Sequence, residues 1–476
     1  MKMRTNCKPI SVGFPVNVSK IKGHTTITLK NVKTGEVERY EDDNMMTNAL
    51  QEYFRNCGFL NYPNIDQDNM VESLLGGVLG LDSELSESAS LIRVPAGVKM
   101  TFNGAVGVVN NGNPTEMGSY SSTESGWQQD GSYIQTYDFS TSQANGTIGC
   151  VCLTSKNYGF YGEGNATSLT RHATYTNIFN LAGTYTDYTI NGTPFNIDTV
   201  NSSCHTFKIE TVGNDKVGVI RKYRIPFSTV NIKGTKTAPI ELSRTEIAID
   251  SDLKSASTRT NMNNGNLLIW NTQPSYVTAQ KWGEGWTQYL WTITPSGTIT
   301  KQTVLNTSGV DLYGLQAAWF DGNYCFFIAA RNNYIDSRIV YVWNRTTNAI
   351  TSINNPYGIQ VGSVWESNFA NTGWNIVHGS GDGRIVTQGS SYGVVVDAVL
   401  GACYPTNNSS TEEYHFPTGV GLLNYSPLGA LRLLRDQTYI ATINNLATPI
   451  VKTSEKTMKV VYRITFDEEE GTSTSS

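Results

Sequence analysis

The sequence predicts an all-β protein with one short N-terminal helix. Both chain ends form a β-sheet anchor domain closed by the last strand, and a propeller-like β-repeat domain is inserted between them. Three observations carry this. The composition joins strand formers to turn formers: 25 Tyr, 9 Trp and 44 Gly in 476 residues, with only 16% charged. β-Branched and aromatic side chains suit a pleated, half-buried surface, whereas Gly, Asn and Ser supply the turns between strands. The segment from Met458 alternates strictly, with Met458, Val460, Tyr462, Ile464 and Phe466 on one face and Lys459, Val461, Arg463 and Thr465 on the other. A period of two of this kind is a half-buried strand. Finally, turn centres at Gly297, Asn348 and Gly401 recur 51 and 53 residues apart (348 − 297, 401 − 348), each between short strand patterns. Short strands repeating about every 50 residues are the pattern of propeller blades. An irregular β-sandwich with accidental spacing is the alternative.

Along the chain, His24 to Leu29 and Val37 to Tyr40 predict a hairpin around the turn Asn31 to Gly35. Thr47 followed by Leu50, Tyr53, Phe54 and Cys57 predicts an amphipathic helix ending at Gly58. Leu74 to Leu81 reads as a kinked buried strand, and Asn103 to Ser125 as a long loop needing a partner surface. Tyr137 to Ser140 and Thr147 to Thr154 read as strands, with Asn145-Gly146 as the turn between them. The last strand must pair with something, because open edges are costly. Its pattern matches the N-terminal hairpin, so it is expected to return there. The expected domains are 1–209 with 438–467, then 210–437, with a flexible tail over 468–476.

A net charge of −5 with no basic stripe argues against a nucleic-acid binder. No window approaches 18 apolar residues, so no membrane span is expected, and Met1 to Ile21 lacks the apolar core of a signal peptide. Seven scattered Cys and five His show no zinc-like spacing, which points to reduced thiols and no metal site.

Five stretches resemble virion proteins of tailed bacteriophages, and prophages, of Gram-positive hosts. They are Gly23 to Ile27 with Thr34 to Glu38; Asn44 to Leu50; Asn103 to Ala105 with Gly118 to Tyr120; Thr141 to Ile148; and Ala441 to Leu446 with the terminal strand. The resemblance covers about residues 20 to 165 and 438 to 466. It implies a tail, baseplate or collar subunit, assembled in the host cytoplasm into the virion and working in symmetric copies as a homo-oligomer. In that setting the inserted region faces outward and host cell-wall polysaccharide is the expected contact. A purely architectural subunit is one alternative, and a glycan-degrading enzyme on the same particle is another.

Catalysis requires convergent acids, bases or nucleophiles. The carboxylates Glu284, Asp311, Asp321, Glu366, Asp382 and Asp397 lie mostly in Gly-rich turns, where Asp is the ordinary turn former. No nucleophile elbow, phosphate cradle or complete calcium loop is present, so no catalytic, cofactor-binding or metal residue is assigned. Ligand contact is better supported. Trp282-Gly283-Glu284-Gly285-Trp286, followed by Tyr289, places two indoles and a carboxylate in one loop. Flat aromatics stack on the apolar face of a pyranose while a carboxylate takes its hydroxyls. The competing reading is that aromatics simply fill the space between repeats. Trp270, Trp319 and Trp343 lie in apolar strands and are expected in the core.

Overall fold

The structure is a computed structural model. It describes residues 21–51, 70–110, 115–161, 191–198, 201, 203–224, 240–256, 258–271, 281–282, 284, 287–312, 315–331, 334–335, 338–358, 376–388, 393–406, 415–418, 421–425, 431–435 and 439–466.

The N-terminal hairpin consists of β1 (Ile21–Asn31) and β2 (Val37–Asp43), followed by β3 (Met45–Met46). Helix α1 (Met70–Leu75) leads into β4 (Gly77–Leu81) and β5 (Met100–Ala105). Then come β6 (Ser119–Tyr120), β7 (Gly126–Trp127), β8 (Tyr133–Phe139), β9 (Gly146–Thr154) and α2 (Lys156–Tyr161).

Five antiparallel sheets follow, each made of strands consecutive in sequence. The first holds β10 (Thr193–Asp198), β11 (Ser203–Val212), β12 (Asp215–Arg224) and β13 (Ile240–Ile247), and is followed by α3 (Ser251–Ser255). The second holds β14 (Thr258–Asn263), β15 (Asn266–Asn271), β16 (Gln288–Ile293) and β17 (Ile299–Val304). The third holds β18 (Leu315–Asp321), β19 (Tyr324–Arg331), β20 (Tyr334–Ile335), β21 (Ile339–Asn344) and β22 (Ile350–Asn354). The fourth holds β23 (Ile376–Gly379), β24 (Arg384–Gln388), β25 (Gly393–Asp397) and β26 (Ala402–Thr406). The fifth holds β27 (His415–Thr418), β28 (Gly421–Tyr425) and β29 (Leu431–Arg435). The chain returns through β30 (Thr442–Lys452) and β31 (Lys456–Phe466).

The ends of the chain make a two-sheet sandwich. One sheet runs β2-β1-β31-β8-β6, with β7 also on β8, and the other runs β3-β30-β9-β4-β5. The terminal strand does return to the hairpin: β31 lies antiparallel to β1 along its whole length, from Ile21 opposite Phe466 to Asn31 opposite Lys456. Its alternation is the reason. Met458, Val460, Tyr462 and Ile464 are buried, whereas the side chains between them reach the outer face. Ile27, Tyr137, Phe139, Met458 and Val460 of the first sheet meet Val78, Phe102, Ile148, Val151 and Ile450 of the second in one core. The second sheet is covered on its far face too, where Leu79, Leu81, Cys150 and Cys152 pack with Val94 and Tyr158. Cys150 and Cys152 are free buried thiols with sulfurs 3.7 Å apart, side by side on one face of β9.

Three local expectations are corrected. Leu74 to Leu81 is a helix followed by a strand, broken at Gly76, where a Cβ would lie 1.9 Å from the Glu72 carbonyl oxygen. Strands β8 and β9 do not pair; they belong to opposite sheets, and residues 140–145 cross between them. Their apolar faces meet across the core, Phe139 with Ile148, instead of lying edge to edge. The stretch 103–125 is not one long loop, because β5 enters it and β6 pairs with β8. Asn103 is wholly buried and its amide donates to the Gly159 carbonyl at 2.8 Å. The predicted helix begins as a turn over 49–51, capped by Thr47 Oγ1, which accepts from the Ala49 N–H at 3.2 Å. Its remainder lies outside the described residues.

The first three of the five successive sheets stack face against face. Along β15, Leu267 and Ile269 pack toward the first sheet, with Phe207 and Ile220. Leu268 and Trp270 pack the other way, with Phe320, Phe327 and Trp343 of the third sheet. Burial on both faces explains why the strands read as apolar runs instead of alternating. The first strands of neighbouring sheets adjoin, β10 beside β14, β14 beside β18 and β23 beside β27. Gly297, Asn348 and Gly401 occupy equivalent places, closing the last hairpins of the second, third and fourth sheets with φ of 92°, 58° and 63°. Residue 209 lies inside β11, so the run of consecutive sheets starts earlier, at Thr193.

Candidate functional site

The aromatic loop is not assembled as one platform. Trp282 is half-buried and stacks on Phe327, with ring centroids 5.8 Å apart and planes 23° from parallel, at the junction of the second and third sheets. Its backbone N–H donates to the Leu312 carbonyl at 2.9 Å, and the neighbouring Lys281 pairs with Asp311 at 3.0 Å. Tyr289 faces the opposite junction, between the first and second sheets, under the Lys301 ammonium 3.9 Å above its ring. One sheet therefore separates the two side chains. Glu284 is exposed, and Trp286 lies outside the described residues. Trp270, Trp319 and Trp343 are core residues, each at most 2% exposed.

The carboxylates of the repeat region brace backbone. Asp321, at the end of β18, accepts from Gly381 N–H at 2.8 Å, Gly383 N–H at 2.8 Å and Arg384 N–H at 3.0 Å, all in the next sheet. Its burial pushes the carboxyl up to about 6, with the three N–H donors pulling the other way. Asn263 clasps the turn one sheet on in the same manner, through the Gly322 carbonyl at 2.7 Å and N–H at 3.1 Å. Asp382 and Asp397 reach back to the sandwich. The Ala96 N–H donates to both Asp382 oxygens at 3.1 Å, and the Gly97 N–H to Asp397 at 2.8 Å.

Between them lies Arg384, only 3% exposed and directly opposite Asp397 in the β24–β25 register. It donates to the Val94 carbonyl at 3.2 Å, the Pro95 carbonyl at 3.3 Å and the Tyr404 hydroxyl at 2.6 Å. This junction holds the fourth sheet on the sandwich. Among the described residues no group of three or more His, Cys, Asp or Glu is placed to hold a metal, and no helix is long and apolar enough to cross a membrane.

The structure also forms a concave site that sequence reasoning missed: a cleft of about 780 Å³ on the outer face of the first sandwich sheet. Strand register sets Thr28 opposite Lys459, Lys459 opposite Asp138 and Asp138 opposite Ser119, one polar row across four strands. Lys30 and Thr457 form the next row. Asn110 and Thr115 stand on one rim, and Ser140, Ser142 and Gln143 of the β8–β9 crossing on another. The rim is internally tied, since Asn110 N–H donates to Ser119 Oγ at 3.0 Å and Ser140 N–H to Gln143 Oε1 at 2.7 Å. Lys459 is compensated by Glu124 at 2.5 Å and Asp138 at 3.7 Å, and the Glu124 hydrogen bond holds its ammonium above the usual range. Lys30 is exposed and enters no ion pair among the described residues.

No protein-family model and no curated protein matches this chain. Three solved structures show a distant likeness. HIRA(644–1017) is 10% identical, with a TM-score of 0.22, over 46% of this chain and 55% of that one. An acylaminoacyl peptidase of Pyrococcus horikoshii is 11% identical, with a TM-score of 0.26, over 55% of this chain and 47% of that one. A eukaryotic initiation factor is 10% identical, with a TM-score of 0.24, over 90% and 98%. At these scores none bears on the fold or the function.

Proposed function

We propose that the chain is a structural virion protein of a tailed phage, a tail- or baseplate-associated fibre or receptor-binding subunit that contacts host cell-wall polysaccharide. We read the five successive sheets as propeller-like blades, supported by their adjoining first strands and their equivalent third turns. The observation that carries the proposal is the division of the chain. The stretches resembling phage virion proteins fall in the sandwich, whose sheets take strands from both chain ends, and the stacked sheets are inserted between them. On this reading the sandwich attaches to neighbouring tail, baseplate or collar subunits, the protein works as a homo-oligomer, and the insertion and the open sheet face meet the host. We read no catalysis into the carboxylates, because Asp321, Asp382 and Asp397 spend their oxygens on backbone N–H groups.

The test is sedimentation of the full-length oligomer with isolated host cell walls. Binding to host walls and not to walls of an unrelated bacterium is the expected result. Absence of binding overturns receptor recognition, and release of soluble sugar in the same assay overturns the non-enzymatic reading. One observation favours the second reading, a purely architectural collar, head-decoration or baseplate subunit: Trp282 and Tyr289 are taken up in packing on opposite faces of their sheet.

A further inference from the structure

We infer that Asn145 is a self-modification site: its side-chain amide converts to a carboxylate, promoted by Lys452, and the product pairs with the Lys452 ammonium. That ion pair clasps the β8–β9 crossing onto β30, and the inference stands apart from the wall-binding reading above.

Lys452 supplies the first half of the argument. It follows Ile450 on the inward face of β30 and is 1% exposed, at the rim of the sandwich core. Among the described residues its ammonium meets neutral oxygens: Asn145 Oδ1 at 2.9 Å, the Thr141 carbonyl at 3.2 Å and the Thr453 carbonyl at 3.5 Å. Burial lowers it to about 8, which leaves it mostly protonated at neutral pH. A buried cation without an anion is unfavourable, and a carboxylate at position 145 supplies the anion. Asn145 is itself exposed, so the new charge keeps water on its other side.

The dipeptide Asn145-Gly146 supplies the second half. Asn before Gly is prone to succinimide closure, because no side chain shields the glycine nitrogen. Gly146 N attacks Asn145 Cγ, the new N–Cγ bond replaces the Cγ–Nδ2 bond, and Nδ2 leaves as ammonia with the Gly146 amide proton. Negative charge builds on Oδ1 during the attack, and Lys452 already donates to that atom. A donor held in place at a developing oxyanion accelerates such a step. Water then adds at Cγ and returns a proton to Gly146 N, which leaves an aspartate at position 145. Two other Asn-Gly pairs calibrate the effect. Asn264-Gly265 is exposed in the β14–β15 turn with no lysine contact among the described residues. Asn191-Gly192 has Lys208 on its Oδ1 at 3.0 Å, but that ammonium is exposed and water weakens its field.

The experiment incubates the full-length protein at physiological temperature and neutral pH and follows the amide-to-acid mass change at each pair by peptide mapping. Asn145 is expected to convert about tenfold faster than Asn264, and Lys452→Met should bring Asn145 down to the Asn264 rate. Asn145→Asp, made directly, should raise the melting temperature of the protein when Lys452 is present and not in the Lys452→Met background. Conversion of Asn145 no faster than Asn264, or equally fast in Lys452→Met, overturns the inference. So does Asn145→Asp without a gain in melting temperature, a result that does not depend on how well Lys452→Met folds. Peptides joined through Lys452 and Asn145 with loss of ammonia also overturn it, because Lys452 is then the nucleophile and not the oxyanion donor.

Discussion

Arg384 offers the sharpest test of how the two parts of the molecule are joined. Replacing it with Ala removes three side-chain hydrogen bonds: to the Val94 and Pro95 carbonyls on the sandwich and to the Tyr404 hydroxyl within its own sheet. Asp397, opposite it in the strand register and 0% exposed, keeps its own donors, the Gly97, Val399 and Leu400 N–H groups. Hydrogen bonds from a charged donor contribute about 1.5–3 kcal/mol each, and two of these three cross from the fourth sheet to the sandwich. Those two together put the loss at the junction at about 4 kcal/mol, equivalent to roughly a thousandfold in an opening equilibrium. Hydrogen exchange reads it locally, because the Ala96 and Gly97 N–H groups are held by Asp382 and Asp397. Their exchange should accelerate by two to three orders of magnitude, about what that free energy allows. The Val460 and Tyr462 amides, deep in the sandwich, should keep their wild-type rates. Exchange at Ala96 and Gly97 within threefold of wild type would refute the reasoning. So would equal acceleration everywhere, which would make Arg384 a determinant of global stability and not of the joint.

Other perturbations probe single features. Asp321 has a folded pKa near 6, above the ordinary 3.8, so its contribution to stability is full below about pH 4 and is lost as pH rises through 6. A shift of about two units corresponds to roughly 3 kcal/mol, so Asp321→Asn should flatten the wild-type loss of stability between pH 4 and 7 in chemical denaturation. Lys452 is lowered to about 8 by burial and donates only to neutral groups, the Thr141 carbonyl and Asn145 Oδ1 among them. Its charged form is the disfavoured one, so wild-type stability should rise from pH 7 to 10 and Lys452→Met should not share that rise. Trp282→Ala removes the stack on Phe327 and should cost about 2–4 kcal/mol in thermal unfolding while leaving wall binding intact. Lost binding with an unchanged melting temperature would restore Trp282 as a ligand contact.

How much of this was legible in the sequence depended on the range of the signal. The strict alternation of Met458 to Ile464 is a property of one strand, and it led directly to the buried face of β31 and its return to β1. The turns at Gly297, Asn348 and Gly401 were equally local, and their left-handed backbone required Gly or Asn. What misled was local chemistry with two structural outcomes. Asn145-Gly146 is a good tight turn, and a strand on either side of it predicts a hairpin. Yet the same residues serve a crossing between two sheets once Phe139 and Ile148 can meet in the core. The bracing positions Asn263 and Asp321 are 58 residues apart (321 − 263), a second period beside that of the third turns. It does not stand out in the sequence, because Asn and Asp are common in turns for purely local reasons.

The candidate sites show the same division more sharply. Trp282 and Tyr289 are seven residues apart and looked like one surface (289 − 282), but a sheet buried on both faces sends neighbouring side chains to opposite cores. Proximity in sequence was therefore a poor guide to proximity in space. The cleft is the converse case. Thr28 and Lys459 are 431 residues apart (459 − 28), with nothing near either to mark a site, and only the pairing of β31 with β1 makes them neighbours. In sequence the outward residues of β31 read only as the other face of a half-buried strand. That was right about their burial, but register decides what a solvent face can do. A Lys, a Thr and an Asp scattered through the chain become an ordered row only when the closing strand is slotted between β1 and β8. A site of this kind forms only as the sandwich closes, so strand pairing carries the order that no single segment contains.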